Sequence, residues 1–261
     1  MNAKIDKRQA RRAFSRHSGG GDLFALIARR LAARLDEIDI RPGWIVDIGG
    51  NGEDMAERFP AARVLAADFA APRLRRRARI FPVLADAENL PLQNGAADLA
   101  WSNLCLEWTD MQKSAAEAAR VLRPNSGLFI FSVLGRDTLR ETRAAFGENG
   151  RVHQFADMHD IGDMLAGGGF TEPVLETERI SLTYRAPADA LREIHRAGCG
   201  NALAARPRGL MGRQKWQNAL AEYARLFCGK DGRARATYEI IYAAAWRKPP
   251  PGESPLHFVK K

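Results

Sequence analysis

Between residues 44 and 132 the chain repeats one pattern: a short, continuous apolar run, then a polar or glycine-containing break, then in places a segment with helical spacing. The runs are 44–48, 63–68, 81–85, 97–102 and 128–132. Runs that are apolar on consecutive residues suit strands covered on both faces, and such strands alternating with helices form a parallel sheet. The right-handed crossover rule leaves a doubly wound α/β sheet as the economical arrangement. Its ligand crevice then lies beyond the carboxyl ends of the strands, where their order reverses.

The ends of these runs carry the candidate chemistry. The first ends in Asp47-Ile48-Gly49-Gly50-Asn51-Gly52-Glu53. A glycine loop after the first strand lets the backbone approach a ligand and take positive φ angles. Gly49 and Gly52 are kept, but Asn51 and Glu53 stand where the second and third glycines of an alternating Gly-x-Gly-x-Gly would fall. Asn51 is expected to tolerate a left-handed conformation, whereas Glu53 brings bulk and negative charge to a close-approach position. Asp68 ends the second run, where a carboxylate can accept hydrogen bonds from both ribose hydroxyls of a nucleoside cofactor; the alternative is an exposed acid ending a strand. Asp86, followed by Ala87, comes after the third run and is placed to read an adenine amine. No phosphate-binding Gly-x-Gly-x-x-Gly is present, which argues against NAD. Asn103 follows the fourth run as a further polar group, and Trp108 reads as core.

Beyond residue 132 the pattern loosens. Helical spacing recurs at 23–35, 111–122, 161–165, 188–197 and 214–227. A strand is expected around 174–176, and a last one at 237–243, whose Tyr and β-branched content suits an antiparallel edge. The tail at 249–252 contains three prolines and a glycine and is expected to fray.

Charge narrows the partner. Lys and Arg number 40 against 31 Asp and Glu, a net charge of +9. Cations gather at Lys4, Lys7, Arg8, Arg11, Arg12 and Arg16, and again at Arg73, Arg75, Arg76, Arg77 and Arg79. Such a field attracts an acidic partner, unless both clusters are only solvated helix faces. Neither is interleaved with the aromatics of a single-strand binder, so nucleic acid is disfavoured. The three cysteines show neither pairing nor CxxC spacing, so no metal site and a reducing, cytoplasmic setting are expected. No apolar run is long enough for a membrane span or signal peptide.

The chain resembles the class I S-adenosylmethionine-dependent methyltransferase group that contains the malonyl-acyl-carrier-protein O-methyltransferases of biotin-precursor synthesis. It is also similar to a mitochondrial complex I assembly factor. The matching stretches are residues 5–14, Trp101-Ser102-Asn103-Leu104 with Trp108, Val121-Leu122-Arg123-Pro124, Asp137-Thr138-Leu139 and Phe155-Ala156-Asp157-Met158-His159-Asp160-Ile161-Gly162. Asn201-Ala202-Leu203, Arg206-Pro207-Arg208-Gly209-Leu210, Asp231-Gly232 and Ala236-Thr237-Tyr238-Glu239 also match. The resemblance implies a seven-stranded, mostly parallel sheet with a helical cap. It implies a basic helical lid at 1–40, a core at 41–186, the cap at 187–230, the closing strand at 231–248 and a tail at 249–261.

By the same resemblance, Asp47, Gly49, Asp68, Asp86, Ala87 and Asn103 fall at positions contacting S-adenosylmethionine, with Gly52 in the same loop. Arg151, His153, Asn201 and Tyr238 fall near the substrate. The implied reaction is methylation of a malonyl carboxylate on an acidic acyl carrier protein. Two features depart from the group's pattern. The lid's usual Tyr-Asp is replaced by Ser18-Gly19-Gly20-Gly21-Asp22, with Phe24 where a Gln is usual. The usual substrate-gripping His has only Arg151 and His153 nearby, out of register. A non-catalytic binding or assembly platform, or an assembly-factor-like protein arginine modification, are the other readings.

Overall fold

The computed structural model describes residues 4–16, 22–147, 152–196 and 200–249. Seven strands form one sheet: β1 (Trp44–Ile48), β2 (Arg63–Asp68), β3 (Ile80–Leu84), β4 (Leu99–Asn103), β5 (Leu128–Leu134), β6 (Phe170–Tyr184) and β7 (Ala234–Arg247). Their order is β3-β2-β1-β4-β5-β7-β6. The first five are parallel, and β7 runs antiparallel to both β5 and β6. Strand order reverses between β1 and β4, so the crevice opens beside the glycine loop.

Each strand side feeds its own core. Ile45, Leu99, Trp101, Ile130, Ile240 and Tyr242 belong to one apolar cluster. Their immediate neighbours Val46, Ala100, Phe129, Phe131, Ile241 and Ala243 belong to the other. This period-two division explains why the runs are apolar at every position. On the first face lie Ile27 and Leu31 of α2 (Asp22–Ala33). On the second lie Ala115 and Ala118 of α4 (Met111–Val121) and Ile161 and Leu165 of α6 (Met158–Gly167), after the short α3 (Glu53–Arg58) has left the glycine loop. Asp110 and Asp157 cap α4 and α6 by accepting the N–H groups of Lys113 and Asp160.

Four expectations need correction. The last strand is not an edge: β7 is paired on both sides and mostly buried. The edge is β6, which extends over 15 residues where only a short strand was expected. Its alternating, half-exposed side chains dilute the apolar signal, while Arg30 and Arg34 reach across to Glu178 and Glu176. A further helix, α5 (Arg140–Phe146), follows Leu139, whose φ of +58° starts it from a left-handed turn. Finally, the arginines at 75–79 lie on no helix but in the turn between the 3-10 segment Ala71–Arg73 and β3.

The remaining helices are α1 (Lys7–Arg16), α7 (Pro187–Arg196) and α8 (Arg213–Phe227), the last two inserted between β6 and β7. Residues 17–21, where the lid departs from the group's pattern, lie outside the described residues, as do Arg151 and most of the tail. Among the described residues no helix is long and apolar enough to cross a membrane.

Candidate cofactor-binding site

The site is assembled from four adjacent strand ends. Asp47, 4% exposed on β1, accepts the Gly52 N–H through Oδ2 at 2.7 Å and so closes the glycine loop on itself. Gly49 has φ +79°, and a Cβ there would overlap the Cys105 side chain. A Cβ on Gly50 would overlap the Asp47 carboxylate. The glycines that the backbone requires are thus consecutive ones, backed by Gly52.

Asn51 is not among the left-handed residues, so the tolerance expected of it is not used. Its Oδ1 instead accepts the Glu53 N–H at 3.1 Å. Glu53 opens α3, and its carboxylate pairs with Arg77 at 2.6 Å. The loop therefore neutralises the charge that stands in place of its last glycine.

Asp68 closes β2 and is only 1% exposed, so the solvated-acid alternative does not hold. Its Oδ1 accepts the Ala70 N–H at 2.6 Å, which fixes the carboxylate plane. Asp86 follows β3 and accepts the Glu88 N–H at 3.0 Å through Oδ1. Its Oδ2 meets the Lys7 ammonium at 2.6 Å, and Lys7 also reaches Glu88 at 2.7 Å. Ala87 is buried beside it. Asn103 ends β4 and bridges two elements: its Nδ2 donates to the Phe24 carbonyl on α2 at 3.3 Å, and its Oδ1 accepts from Ser132 Oγ on β5 at 2.7 Å.

Of the four substrate candidates, Arg151 lies outside the described residues. His153 and Asn201 are brought together. His153 is 2% exposed; its Nε2–H donates to the Glu107 carbonyl at 3.1 Å, and its Nδ1 accepts the Ala202 N–H at 3.5 Å. These partners define the Nε2–H tautomer, because a carbonyl only accepts and an amide N–H only donates. Burial pushes the imidazole down to about 4, against the opposing pull of its bonds to Glu107 and Asn201. Tyr238 sits inside β7, buried in the same apolar layer as Trp108 and Phe155. Trp108 is core as expected, its ring 4.5 Å from His153 and edge-on to Phe155.

Sequence reasoning missed Glu107. It is 4% exposed, and burial pushes its carboxyl up to about 8. Oε1 accepts the Leu134 N–H at 3.2 Å, while Oε2 has no hydrogen-bond partner among the described residues. Glu107 and His153 both line an open cavity of 1280 Å³ that reaches Lys4 and Lys7 at its rim. The only available signal was an acid set between Leu106 and Trp108 in an otherwise apolar stretch.

The amino-terminal segment is laced to the chain after α7. Ile5 bridges Leu203, Asp6 N–H donates to the Ala202 carbonyl at 2.8 Å, and Arg206 pairs with the Asp6 carboxylate at 2.9 Å. His153 joins this junction through Ala202.

Residues 46–131 match the model of a methyltransferase domain. The malonyl-[acyl-carrier protein] O-methyltransferase of Gallionella capsiferriformans is 39% identical over 94% of this chain and 92% of its own length. The chain belongs to the malonyl-[acyl-carrier protein] O-methyltransferase family. The counterpart from Laribacter hongkongensis is 42% identical over 93% of this chain and 90% of its own. Among solved structures, the YcgJ protein from Bacillus subtilis matches with TM-score 0.59 at 14% identity, over 85% of this chain and 99% of that one. The class I methyltransferase fold expected from the sequence is therefore present.

The cofactor of this methyltransferase is S-adenosylmethionine. The donor set suits it. Three acids on adjacent strand ends, two of them buried and fixed by backbone N–H groups, match the hydroxyl and amine donors of an adenosyl group and would repel a pyrophosphate.

Proposed function

We propose that this methyltransferase transfers a methyl group from S-adenosylmethionine to the free carboxylate of a malonyl group on an acyl carrier protein, a cytoplasmic step of biotin-precursor synthesis. The observation that carries the reading is similarity over nearly the whole chain to a family member so named, 39% identical over 94% of the chain. When bound, S-adenosylmethionine supplies an electrophilic methyl group on a sulfonium.

The chain's own residues then have three tasks. Asp68 accepts from the ribose hydroxyls and Asp86 from the adenine amine, with Ala87 packed beside it. Asp47 holds the Gly49–Gly52 turn for the cofactor's amino-acid end, and Asn103 borders the crevice between α2 and β5. On the substrate side, His153, which lines the open cavity, and Asn201, which it meets, would shape the wall. A carboxylate is already nucleophilic at neutral pH, so no general base is needed. What the protein must provide is alignment and exclusion of water.

The test is to incubate the purified chain with malonyl-acyl carrier protein and S-adenosylmethionine and weigh the products. The reading expects the carrier to gain one methyl group, removable by ester hydrolysis, and S-adenosylhomocysteine to accumulate in equal amount. No methyl gain, with cofactor bound, would leave the fold assigned and the substrate wrong.

A further inference from the structure

Two arginine clusters far apart in sequence are carried on neighbouring parts of the fold. α1 packs against the 3-10 turn Ala71–Arg73, which leads directly into the arginine-bearing turn before β3. Ala10 faces inward and joins the apolar cluster that contains Ala70. Arg8, Arg11 and Arg12 remain exposed on α1, and Arg75, Arg76, Arg77 and Arg79 are exposed on the turn.

Most of this charge is unspent. Lys7 is taken by Asp86 and Glu88, and Arg77 by Glu53. Arg76 lies over the Phe81 ring at 5.9 Å. Arg8, Arg11, Arg12, Arg75 and Arg79 make no ion pair with any described residue. Clustered like charges repel one another, so leaving several unpaired on one face disfavours the free protein and favours a complex with an anionic surface.

We propose that α1 and the 74–79 turn together form one docking face for an acidic carrier protein. The inference rests on the reading of the substrate given above and adds where its protein part binds. α1 stands at the crevice, where Lys7 pairs with Asp86, and the turn runs from the carboxyl end of β2 back to the amino end of β3, so a carrier seated across both has its α1 side nearest the crevice. Nucleic acid fits less well. Phe81 is half-buried beneath Arg76, and among the residues whose burial is described no exposed aromatic lies between these arginines to stack on bases.

The test uses the full chain and two paired charge reversals, Arg11→Glu with Arg12→Glu, and Arg75→Glu with Arg79→Glu. Each is assayed with malonyl-acyl carrier protein and with a small malonyl thioester lacking the protein. At low salt each pair should raise KM for the carrier substrate about tenfold with little change in kcat, and added salt should erase the difference. Turnover of the small thioester should not change. Unchanged KM in either pair would overturn the joint face. If the wild type methylates neither substrate, the substrate reading fails separately, and direct binding of the unloaded carrier protein decides the docking face. Equal binding by wild type and variants, or binding only to anionic vesicles or DNA, would overturn it.

Discussion

The His153 ring is hydrogen-bonded through Nε2 to the backbone carbonyl of Glu107, while the Glu107 side chain turns away to accept the Leu134 N–H. One imidazole thus ties the loop after β4 to the Asn201–Ala202 turn, and the same loop buries a carboxyl. Both groups are held in their neutral forms by burial, the histidine down to about 4 and the glutamate up to about 8.

Opposite stability slopes result. Glu107 ionises near 4.5 when unfolded but near 8 when folded, so the native state binds the extra proton between those values. Stability from this group is full below about 4.5 and is lost as pH rises towards about 8. Glu107→Gln keeps the neutral shape and removes the slope. The melting temperature of the variant relative to wild type should climb steadily from pH 5 to about 8. Parallel curves would show that Glu107 is ionised in the native protein.

His153 works the other way. The unfolded chain binds its proton below about 6.5, the native chain only below about 4, so stability is lost as pH falls through that window. His153→Gln should flatten this acid limb in a pH series of thermal melts. It should also cost about 1–3 kcal/mol at pH 7 if it leaves the Ala202 N–H without an acceptor. An unchanged acid limb would assign the loss to carboxylates elsewhere.

The fold was legible because its parallel half is written in consecutive apolar residues, each run ending near an acid, a glycine or, in the fourth, an asparagine. The strand ends that carry Asp47, Asp68, Asp86 and Asn103 followed from that pattern. The antiparallel half was not: β6 places charged residues in the strand and neutralises them with arginines of α2 and the 3-10 turn after it, a contact no local window contains. The glycine loop shows a related effect. An alternating pattern would put glycine at 51 and 53, while the backbone uses 49, 50 and 52 and pairs Glu53 with an arginine twenty-four residues on. Glu107 was hidden because burial of an acid leaves no trace in composition.

That geometry sets two loop variants apart. Gly50→Ala would push the Asp47 carboxylate off the Gly52 N–H, so it should destabilise the chain by about 1–3 kcal/mol and weaken cofactor binding. Asn51→Gly combined with Glu53→Gly should shift cofactor affinity by less than about threefold, under 1 kcal/mol. Denaturant melts and calorimetric titration check both. A tenfold gain in the double variant would show that Glu53 obstructs the cofactor despite its bond to Arg77.

The strap between the amino-terminal segment and the chain after α7 should be separable from the core. Arg206→Ala removes the partner of Asp6, whose carboxyl the guanidinium holds below its ordinary range. Limited proteolysis should cut the first residues several times faster, with the melting temperature of the core little changed. Equal cleavage rates would mean that the backbone bonds of Asp6 and Ala204 suffice.

The account turns on whether this glycine loop and these strand-end acids still hold an adenosyl cofactor, and Asp68 tests it most directly. Its carboxylate is dry, with its plane fixed by Ala70, so charge-assisted bonds to a ribose should contribute roughly 1.5–3 kcal/mol each. Calorimetric titration with S-adenosylmethionine should show wild-type binding, a loss of at least about tenfold in Asp68→Ala, and a smaller loss in Asp68→Asn. Thermal melts alongside should report only about 1 kcal/mol of destabilisation, from the lost bond to Ala70. No heat with folded wild-type protein, or Asp68→Ala binding as tightly as wild type, would contradict the assignment.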